Sequence, residues 1–365
     1  MAAVLQTLLV AFSLLCALLT VVPFFKLPHG LVRGPAFARL QLLVAAVLCL
    51  PLAAFFLTGP WRLVTLAALA GTVIVNGIAV LKFTPLWPKQ SFDADDALMD
   101  QPDRHIELIA ANVKMSNRRY DLLIDLIRDE DADIVAVIEP DARWIDALSA
   151  IRPLYPHRVE HPLDTGYGLA LYSKLPLSQT DLRCRITDGV PSITTTVTLP
   201  SGDDIRLYIV HPEPPIASHD TSGRDSEIAA AGLEAVEDGR PVIIAGDLND
   251  VAWSHTTRRF QRITGLLDPR VGRGFYNTFN AFYPVFRWPL DHLFHDKHFR
   301  FVDMARLPKI NSDHFPVAFT LALSPERAGD APDGDAQERQ EVEQMIEDER
   351  ARDRQPIGTD WEDDG

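Results

Sequence analysis

Residues Val242–Asn249 read VIIAGDLN, an apolar segment that runs directly into a glycine, a carboxylate and an amide. Four consecutive apolar residues bounded by a turn-forming residue are typical of a buried strand. A second segment of this kind, Ile134–Ile138, runs directly into Glu139. Because a rigid sheet presents the polar residues at its strand ends to a cleft, the two segments predict a functional site at the edge of a sheet.

Two further segments place acidic and imidazole side chains beside apolar strands. Asp291 interrupts the apolar residues around Leu293, and Ser312–His314 immediately precede the apolar strand Phe315–Leu321. A carboxylate at a strand end is often only a helix cap or a turn residue, so each segment alone indicates little. The ordered set of a Glu, an Asp-x-Asn, an Asp and an Asp-His, all at predicted strand ends, favours one shared site.

Strands and helices alternate through residues 105–323, which we predict to be one domain. Strands are predicted at 106–113, 134–138, 168–173, 192–199, 205–210, 242–245, 290–295, 300–305 and 315–322. Helices are predicted at 120–128, 141–151, 223–237 and 255–264. This alternation, interrupted by consecutive all-β stretches, predicts an α/β (α+β) fold: a four-layer sandwich of two packed mixed β-sheets flanked by helices.

Residues 1–83 are predicted to form a region of three transmembrane helices that precedes this fold. The uncharged runs at 2–25, 40–61 and 63–81 contain 24, 22 and 19 residues. Each is long enough to cross a hydrocarbon core of about 30 Å. A cleaved signal peptide is the alternative for the first run, which lacks a basic start and a small-residue cleavage site. Buried helices of a soluble protein are the other alternative, and three such runs within ninety residues disfavour it.

The basic residues near the helix ends favour an outside amino terminus and a cytoplasmic main domain. Three bases lie in the first connection and two follow the third helix, whereas the second connection holds only Arg62. Lys and Arg near helix ends tend to stay cytoplasmic. Residues 84–104, with three prolines and five acids, are predicted to be a linker. The acidic residues 324–365 are predicted to be a disordered tail, within which 336–354 could form a charged helix.

The charge balance separates two classes of function. Residues 91–324 carry 35 acids and 24 bases, which argues against sequence-independent nucleic-acid binding because Lys and Arg must displace counterions from phosphates.

Hydrolysis of a phosphate ester needs an oxygen-coordinated divalent cation, an oriented water and a proton donor. Carboxylates and an amide suit Mg²⁺, and a histidine beside a carboxylate is held in its useful tautomer. The residue set therefore favours metal-dependent ester hydrolysis.

A set of short motifs spans residues 105–322. They are ANV at Ala111–Val113, VIE at Val137–Glu139, GLALYS at Gly168–Ser173, GDLN at Gly246–Asn249 and SDH at Ser312–His314. With this set, the region resembles the endonuclease/exonuclease/phosphatase superfamily. The resemblance implies the deoxyribonuclease-I-like four-layer sandwich and hydrolysis of phosphodiesters or phosphomonoesters with Mg²⁺.

The resemblance also implies roles for individual residues. Glu139, with Asn112 and Asp313, would hold Mg²⁺, with Mn²⁺ as the alternative ion. Asp247, helped by Asn249, would orient and deprotonate the attacking water.

The histidines complete the set that the resemblance implies. His314, held by Asp291, and the strand-end His211 would contact the phosphate and supply protons. One departure is Lys114, which stands where some abasic-site endonucleases have an Asp, and this argues against that repair activity. Membrane-anchored bacterial members of the superfamily are similar in layout.

The sequence thus predicts a membrane-anchored, Mg²⁺-dependent phosphoesterase acting on a lipid-linked or other membrane-proximal phosphate ester. An anchor favours such a substrate because it raises the local concentration at the bilayer. A nuclease acting on DNA or RNA is the alternative enzyme. A non-catalytic membrane scaffold that keeps the fold is the alternative of another class.

Overall fold

Three apolar helices begin the chain, in a computed structural model that describes residues 2–332, 334 and 336–358. They are α1 (Ala2–Val21), α3 (Arg39–Phe56) and α4 (Gly59–Leu81), and the short α2 (Gly30–Arg33) lies in the first connection. All three are long and apolar enough to cross a membrane. The three apolar runs predicted from the sequence are therefore confirmed as helices.

A buried amide joins these helices. Nδ2 of Asn76 in α4 donates to Oγ1 of Thr20 in α1 at 2.8 Å, and its Oδ1 accepts from Nη1 of Arg39 in α3 at 3.2 Å. Hydrogen bonds between helices satisfy polar groups that lipid would leave unpaired. Asn76 therefore fixes how the three helices face one another.

The chain beyond the apolar helices folds into two β-sheets between helices. The helices are α5 (Asp96–Met99), α6 (Tyr120–Glu130), α7 (Ala142–Leu148), α8 (Ser222–Asp238), α9 (His255–Thr264) and α10 (Ala336–Arg350). The strands are β1 (His105–Asn112), β2 (Ile134–Ile138), β3 (His157–His161), β4 (Leu169–Ser173), β5 (Leu177–Cys184), β6 (Pro191–Thr198), β7 (Asp204–Val210), β8 (Val242–Asp247), β9 (Asp291–His295), β10 (Phe299–Arg306) and β11 (Val317–Leu323). The first sheet has the order β10-β11-β1-β2-β4-β3 and the second the order β5-β6-β7-β8-β9.

The two sheets pack face to face, and the main core lies between them. Ile134 and Ile138 of β2 share one buried cluster with Leu207 of β7, because alternate residues of a strand point to the same face. Val135 and Val137, on the other face of β2, pack in a second cluster with α6 and α7. A third cluster joins the second sheet to α8 and α9. The result is the predicted four-layer sandwich of two mixed sheets flanked by helices.

The strand directions bring the polar strand ends to one edge. β1 and β2 are parallel, with Asn112 opposite Ile138. β7 and β8 are also parallel, and β9 runs antiparallel to β8 with Asp291 opposite Asp247. The carboxyl ends of four strands and the amino end of a fifth therefore lie close together.

The membrane helices are attached to this domain through the connection between α1 and α3 and the turn after α4. The backbone N of Gly30 donates to the carbonyl of His219 at 2.9 Å, and Nε1 of Trp253 donates to the carbonyl of Ala36 at 2.7 Å. The ring of Phe83, just after α4, lies 6.0 Å from that of Trp253. The domain thus rests on the ends of the apolar helices.

Residues 84–104, predicted to be a linker, lie against the domain. Oε1 of the buried Gln90 accepts from the backbone N of Asp268 at 2.8 Å and from Nε2 of Gln261 at 2.9 Å. Ser91 is fully buried and bonds to His295 at 2.7 Å. These polar contacts hold the segment against the domain, and the segment contains the short helix α5 at Asp96–Met99.

Within the tail that was predicted to be disordered, residues 336–350 form α10, in agreement with the charged helix that the sequence allowed at 336–354. Val342 and Ile346 are 0% and 5% exposed and pack against Ala230 and Leu233 of α8. Two apolar residues four positions apart lie on the same face of a helix, so this short stripe is enough to dock α10. Thr359–Gly365, the end of the predicted tail, lies outside the described residues.

Candidate active site

A cleft of about 340 Å³ opens at the edge where the polar strand ends meet. Six of the eight predicted site residues line it, namely Glu139, His211, Asp247, Asn249, Asp313 and His314. The other two, Asn112 and Asp291, are each 1% exposed and bond to residues of the lining from behind. All eight residues are therefore brought together.

The backbone at the strand ends takes unusual conformations. Glu139 and Asn249 adopt left-handed φ angles of 64° and 51°. Gly246 has a φ of 143°, and a Cβ at this position would lie 2.0 Å from the carbonyl oxygen of Val210, so only glycine fits between β7 and β8. Non-glycine residues in the left-handed region cost of order 1–3 kcal/mol and cluster at functional sites.

Asn112 links the two sheets at the floor of the cleft. Its Nδ2 donates to Oε1 of Glu139 at 2.6 Å and to Oδ2 of Asp247 at 3.0 Å. Its Oδ1 accepts from the backbone N of Lys114 at 3.0 Å, which fixes the orientation of the amide. The amide therefore holds two carboxylates of different sheets side by side.

The imidazole of His314 lies between the carboxylates of Asp291 and Asp247. Its Nδ1 lies 2.8 Å from Oδ2 of Asp291, and its Nε2 lies 3.4 Å from Oδ2 of Asp247. The ring of Phe279 packs on the imidazole, with centroids 4.9 Å apart. With a proton on Nδ1 directed to Asp291, Nε2 faces the cleft.

His211 lies on the other side of the same carboxylates. Its Nε2 is 3.7 Å from Oε1 of Glu139 and 4.0 Å from Oδ2 of Asp247. Its ring lies 5.6 Å from that of Tyr167, and its buried Nδ1 has no hydrogen-bond partner among the described residues. Both imidazoles thus flank Asp247.

Burial and charge set the protonation states in the cleft. Burial raises the pKa of Glu139 to about 7 and that of Asp247 to about 6, and it lowers the pKa of His211 to about 3. Burial alone would also lower the pKa of His314, but the charges of Asp291 and Asp247 outweigh it and raise this pKa to about 10. At neutral pH His314 is therefore cationic and His211 neutral.

Asp313 and Asn249 make contacts at the rim. Oδ2 of Asp313 lies 3.4 Å from Nζ of Lys114. Nδ2 of Asn249 donates to the carbonyl of Pro212 at 2.9 Å, and its backbone N donates to Oδ1 of Asp247 at 2.9 Å. Asn249 therefore orients Asp247 and holds the loop that follows His211.

The cleft has two groups of side chains whose ligand atoms all lie within 4.8 Å of one another. They are Glu139, His211 and Asp247, and Asp247, Asp291 and His314. Oδ1 of Asp291 is buried and has no hydrogen-bond partner among the described residues. Carboxylate oxygens suit a hard cation such as Mg²⁺. Asp313, predicted as a metal ligand, belongs to neither group.

Eleven of the seventeen lining residues were not predicted as site residues, and Phe37, Tyr167, Phe279 and Gly358 are among them. Phe37 comes from the connection between the membrane helices and Gly358 from the tail, far from any motif. Tyr167 directly precedes the GLALYS segment, and that proximity is the one sequence signal that could have found it.

The tail reaches the wall of the cleft through a buried carboxylate. Oε1 and Oε2 of Glu213 each lie 2.7 Å from the guanidinium of Arg354, and Oε1 accepts from the backbone N of Ile357 at 2.8 Å. The hydroxyl of Tyr167 also donates to the carbonyl of Ile357. These contacts place Gly358 at the cleft, where it forms part of the lining.

Comparison with solved structures gives several similar proteins. TDP2 from D. rerio with 14 humanizing mutations is 17% identical, with a TM-score of 0.49, over 60% of this chain and 99% of that one. The endonuclease/exonuclease/phosphatase from Bacteroides vulgatus is 17% identical, with a TM-score of 0.49, over 60% and 99%. The catalytic domain of human Nocturnin, with bound sulfate, is 15% identical, with a TM-score of 0.48, over 60% and 95%.

Sequence comparison identifies the family. No curated protein matches the chain. The profile of the Endonuclease/Exonuclease/phosphatase family matches residues 109–314, which is more than half of the chain and includes every residue of the cleft floor. This chain belongs to the endonuclease/exonuclease/phosphatase family.

Proposed function

We propose that this chain is a membrane-anchored, Mg²⁺-dependent phosphoesterase that hydrolyses a lipid-linked or other membrane-proximal phosphate ester. The family supports hydrolysis of a phosphoric ester. The observation that carries the proposal is the continuous row of contacts from Asp291 through His314, Asp247 and Asn112 to Glu139. The row combines acids, a cation and an amide in one cleft, as ester hydrolysis requires.

The residues fit a divalent cation. Glu139, oriented by Asn112, would hold it together with Asp247, and Asp313, also predicted as a ligand, lines the same cleft. Burial raises the pKa values of Glu139 and Asp247, so negative charge on these carboxylates is costly here without a cation. When bound, the ion would neutralise charge on the phosphoryl oxygens.

The side chains of the cleft would each have a separate role in the hydrolysis. Asp247 orients a water and accepts its proton as the water oxygen bonds to phosphorus and the ester oxygen departs. The cationic His314 stabilises the charge that develops on the phosphate, and its Nε2 can donate a proton to the departing oxygen. Neutral His211 would donate a hydrogen bond from Nε2 to the phosphate.

A substrate panel on the full-length protein in detergent tests the proposal. The panel contains nitrophenyl phosphate, bis-nitrophenyl phosphate, phosphatidic acid and supercoiled plasmid, each with Mg²⁺ and with EDTA. We expect ester hydrolysis that EDTA removes and that Asp247→Asn lowers at least about 10²-fold. The control is Asp181→Asn on the exposed edge strand β5.

The same panel separates the alternatives. Plasmid nicking that exceeds ester hydrolysis would replace the proposal with a nuclease. Absence of Mg²⁺-dependent hydrolysis of all four substrates would leave the non-catalytic scaffold as the better description.

A further inference from the structure

An apolar loop, residues 282–286, lies beside the cleft. Its sequence is FYPVF, and the exposed fractions of Phe282, Tyr283, Val285 and Phe286 are 47%, 62%, 69% and 56%. Large apolar side chains that are exposed side by side mark an interaction surface. Among the described residues after 105, the other exposed large apolar side chains, Leu154 and Val236, stand singly.

The apolar loop is continuous with the membrane helices. Nε2 of Gln41, in the first turn of α3, donates to the carbonyl of Val285 at 2.9 Å. The ring of Phe37, just before α3, lies 5.9 Å from that of Trp288, which in turn lies 6.4 Å from that of Phe286. The loop is therefore level with the point where α3 would enter the bilayer. Aromatic residues are enriched at that level of membrane proteins.

Three cations surround the loop, in contrast to the acidic character of the domain. Lys309 lies 6.0 Å above the ring of Phe282, and Arg287 and Arg306 lie 4.9 Å and 4.4 Å above the ring of Phe315. Within the described part of the chain, none of the three cations has a carboxylate within 4 Å, and Arg306 and Lys309 are exposed. Basic side chains beside exposed aromatic ones are suited to a bilayer that carries anionic lipids.

The loop also leads to the catalytic histidine. Phe279 lies 6.1 Å from Trp288 and 4.9 Å from His314. Phe37, Phe279 and Leu290 are apolar members of a lining that also contains Glu139 and His314. A ligand with a phosphate at one end and an apolar chain at the other would match both kinds of side chain.

We propose that the apolar loop and its three cations form a bilayer-contact surface that holds the mouth of the cleft against an anionic membrane. The contact lets the phosphate of a lipid reach His314 while its apolar chain remains in the bilayer. This inference deepens the proposed function and rests on it for the substrate, whereas the contact itself can be measured without catalysis.

Depth-dependent quenching in nanodiscs tests the contact on the full-length chain. Cys16, Cys49 and Cys184 are replaced by alanine, and an environment-sensitive fluorophore is attached after Tyr283→Cys or Leu154→Cys. Leu154 is 47% exposed and follows α7, at the end of the sheet opposite the cleft, so it is the matched control. We expect headgroup nitroxide lipids to quench position 283 at least about three times as strongly as position 154, because an interfacial side chain lies ~5–10 Å into the headgroup boundary. Equal quenching at both positions would overturn the contact.

Activity then tests the role of the contact in substrate access. We expect the double change Arg306→Glu and Lys309→Glu to lower kcat/KM about 30-fold on phosphatidic acid in anionic nanodiscs, since two surface cations contribute about 1 kcal/mol each to binding an anionic bilayer. Hydrolysis of soluble nitrophenyl phosphate should be unchanged. An equal loss on both substrates would overturn the role in substrate access. If neither ester is hydrolysed, the proposed function fails, and the quenching comparison still decides the contact.

Discussion

The pair formed by Asp291 and His314 allows a quantitative prediction. Asp291 is 1% exposed, and its Oδ2 lies 2.8 Å from Nδ1 of His314. Asp291→Asn keeps the shape of the side chain and removes its charge. A buried hydrogen bond to a charged group contributes about 1.5–3 kcal/mol, which corresponds to a loss in kcat/KM of about 10- to 150-fold.

The substitution should also change the pH dependence. Asp291 helps to raise the pKa of His314 from its ordinary 6.5 to about 10, so the imidazole is charged in the folded protein through neutral pH. The stabilisation of the folded protein by this charge is complete below about pH 6.5 and is lost as the pH rises through about 10. Without the charge of Asp291, burial is opposed chiefly by Asp247, and the pKa falls. The alkaline loss of kcat/KM should therefore begin at lower pH in Asp291→Asn.

A matched pair elsewhere in the domain provides the control. Oδ2 of Asp296 lies 2.5 Å from Nδ1 of His298, away from the cleft, so Asp296→Asn should leave kcat/KM unchanged. In a double-mutant cycle, Asp291→Asn combined with His314→Gln should be no less active than His314→Gln alone, because residues that act as a unit are not additive. Retention of more than half of the activity by Asp291→Asn, or simple addition of the two losses, would contradict this role of Asp291.

Three further predictions concern the metal, the rim and the tail. Protons compete with a cation for Glu139 and Asp247, whose pKa values are about 7 and about 6. The increase in Tm caused by Mg²⁺, measured by scanning fluorimetry, should therefore be larger at pH 8 than at pH 5. Glu139→Gln should abolish this difference. Lys114→Met should lower kcat/KM on nitrophenyl phosphate about tenfold through loss of a cation at the rim, while Lys174→Met, which breaks a 2.6 Å ion pair with Asp131 at the other end of β2, should not. Val342→Asp should release α10, which is docked through this fully buried side chain, and trypsin should then cleave the tail faster while the rest of the domain resists.

Much of the fold could be predicted because its central strands are fully buried. Residues 134–138 and 242–245 are apolar throughout, so their secondary structure could be predicted without knowledge of the tertiary fold. The polar residues that follow these strands lie at the predicted edge, and they share one cleft because parallel strands end on the same side. The roles given to them remain predictions.

The features that the sequence did not predict depend on contacts with other elements of the fold and have no distinct apolar pattern of their own. The edge strands β3 and β5 are mostly polar or exposed, so they lack an apolar pattern and form through pairing with β4 and β6. The position of Phe37 in the cleft depends on how the membrane helices dock. A helix at 336–354 could be anticipated from the sequence, but its docking could not, because it depends on the face of α8 that receives Val342 and Ile346.

The seating of the domain on the helix ends has a practical consequence. A truncated protein that begins near residue 100, the usual choice for a soluble preparation, would lack Phe37 from the cleft and would leave the indole of Trp253 without both the carbonyl of Ala36 and the ring of Phe83. Such a fragment would expose an apolar surface next to its candidate active site. Aggregation or weak turnover of the fragment would then reflect the missing surface, and it would say little about the chemistry of the intact chain.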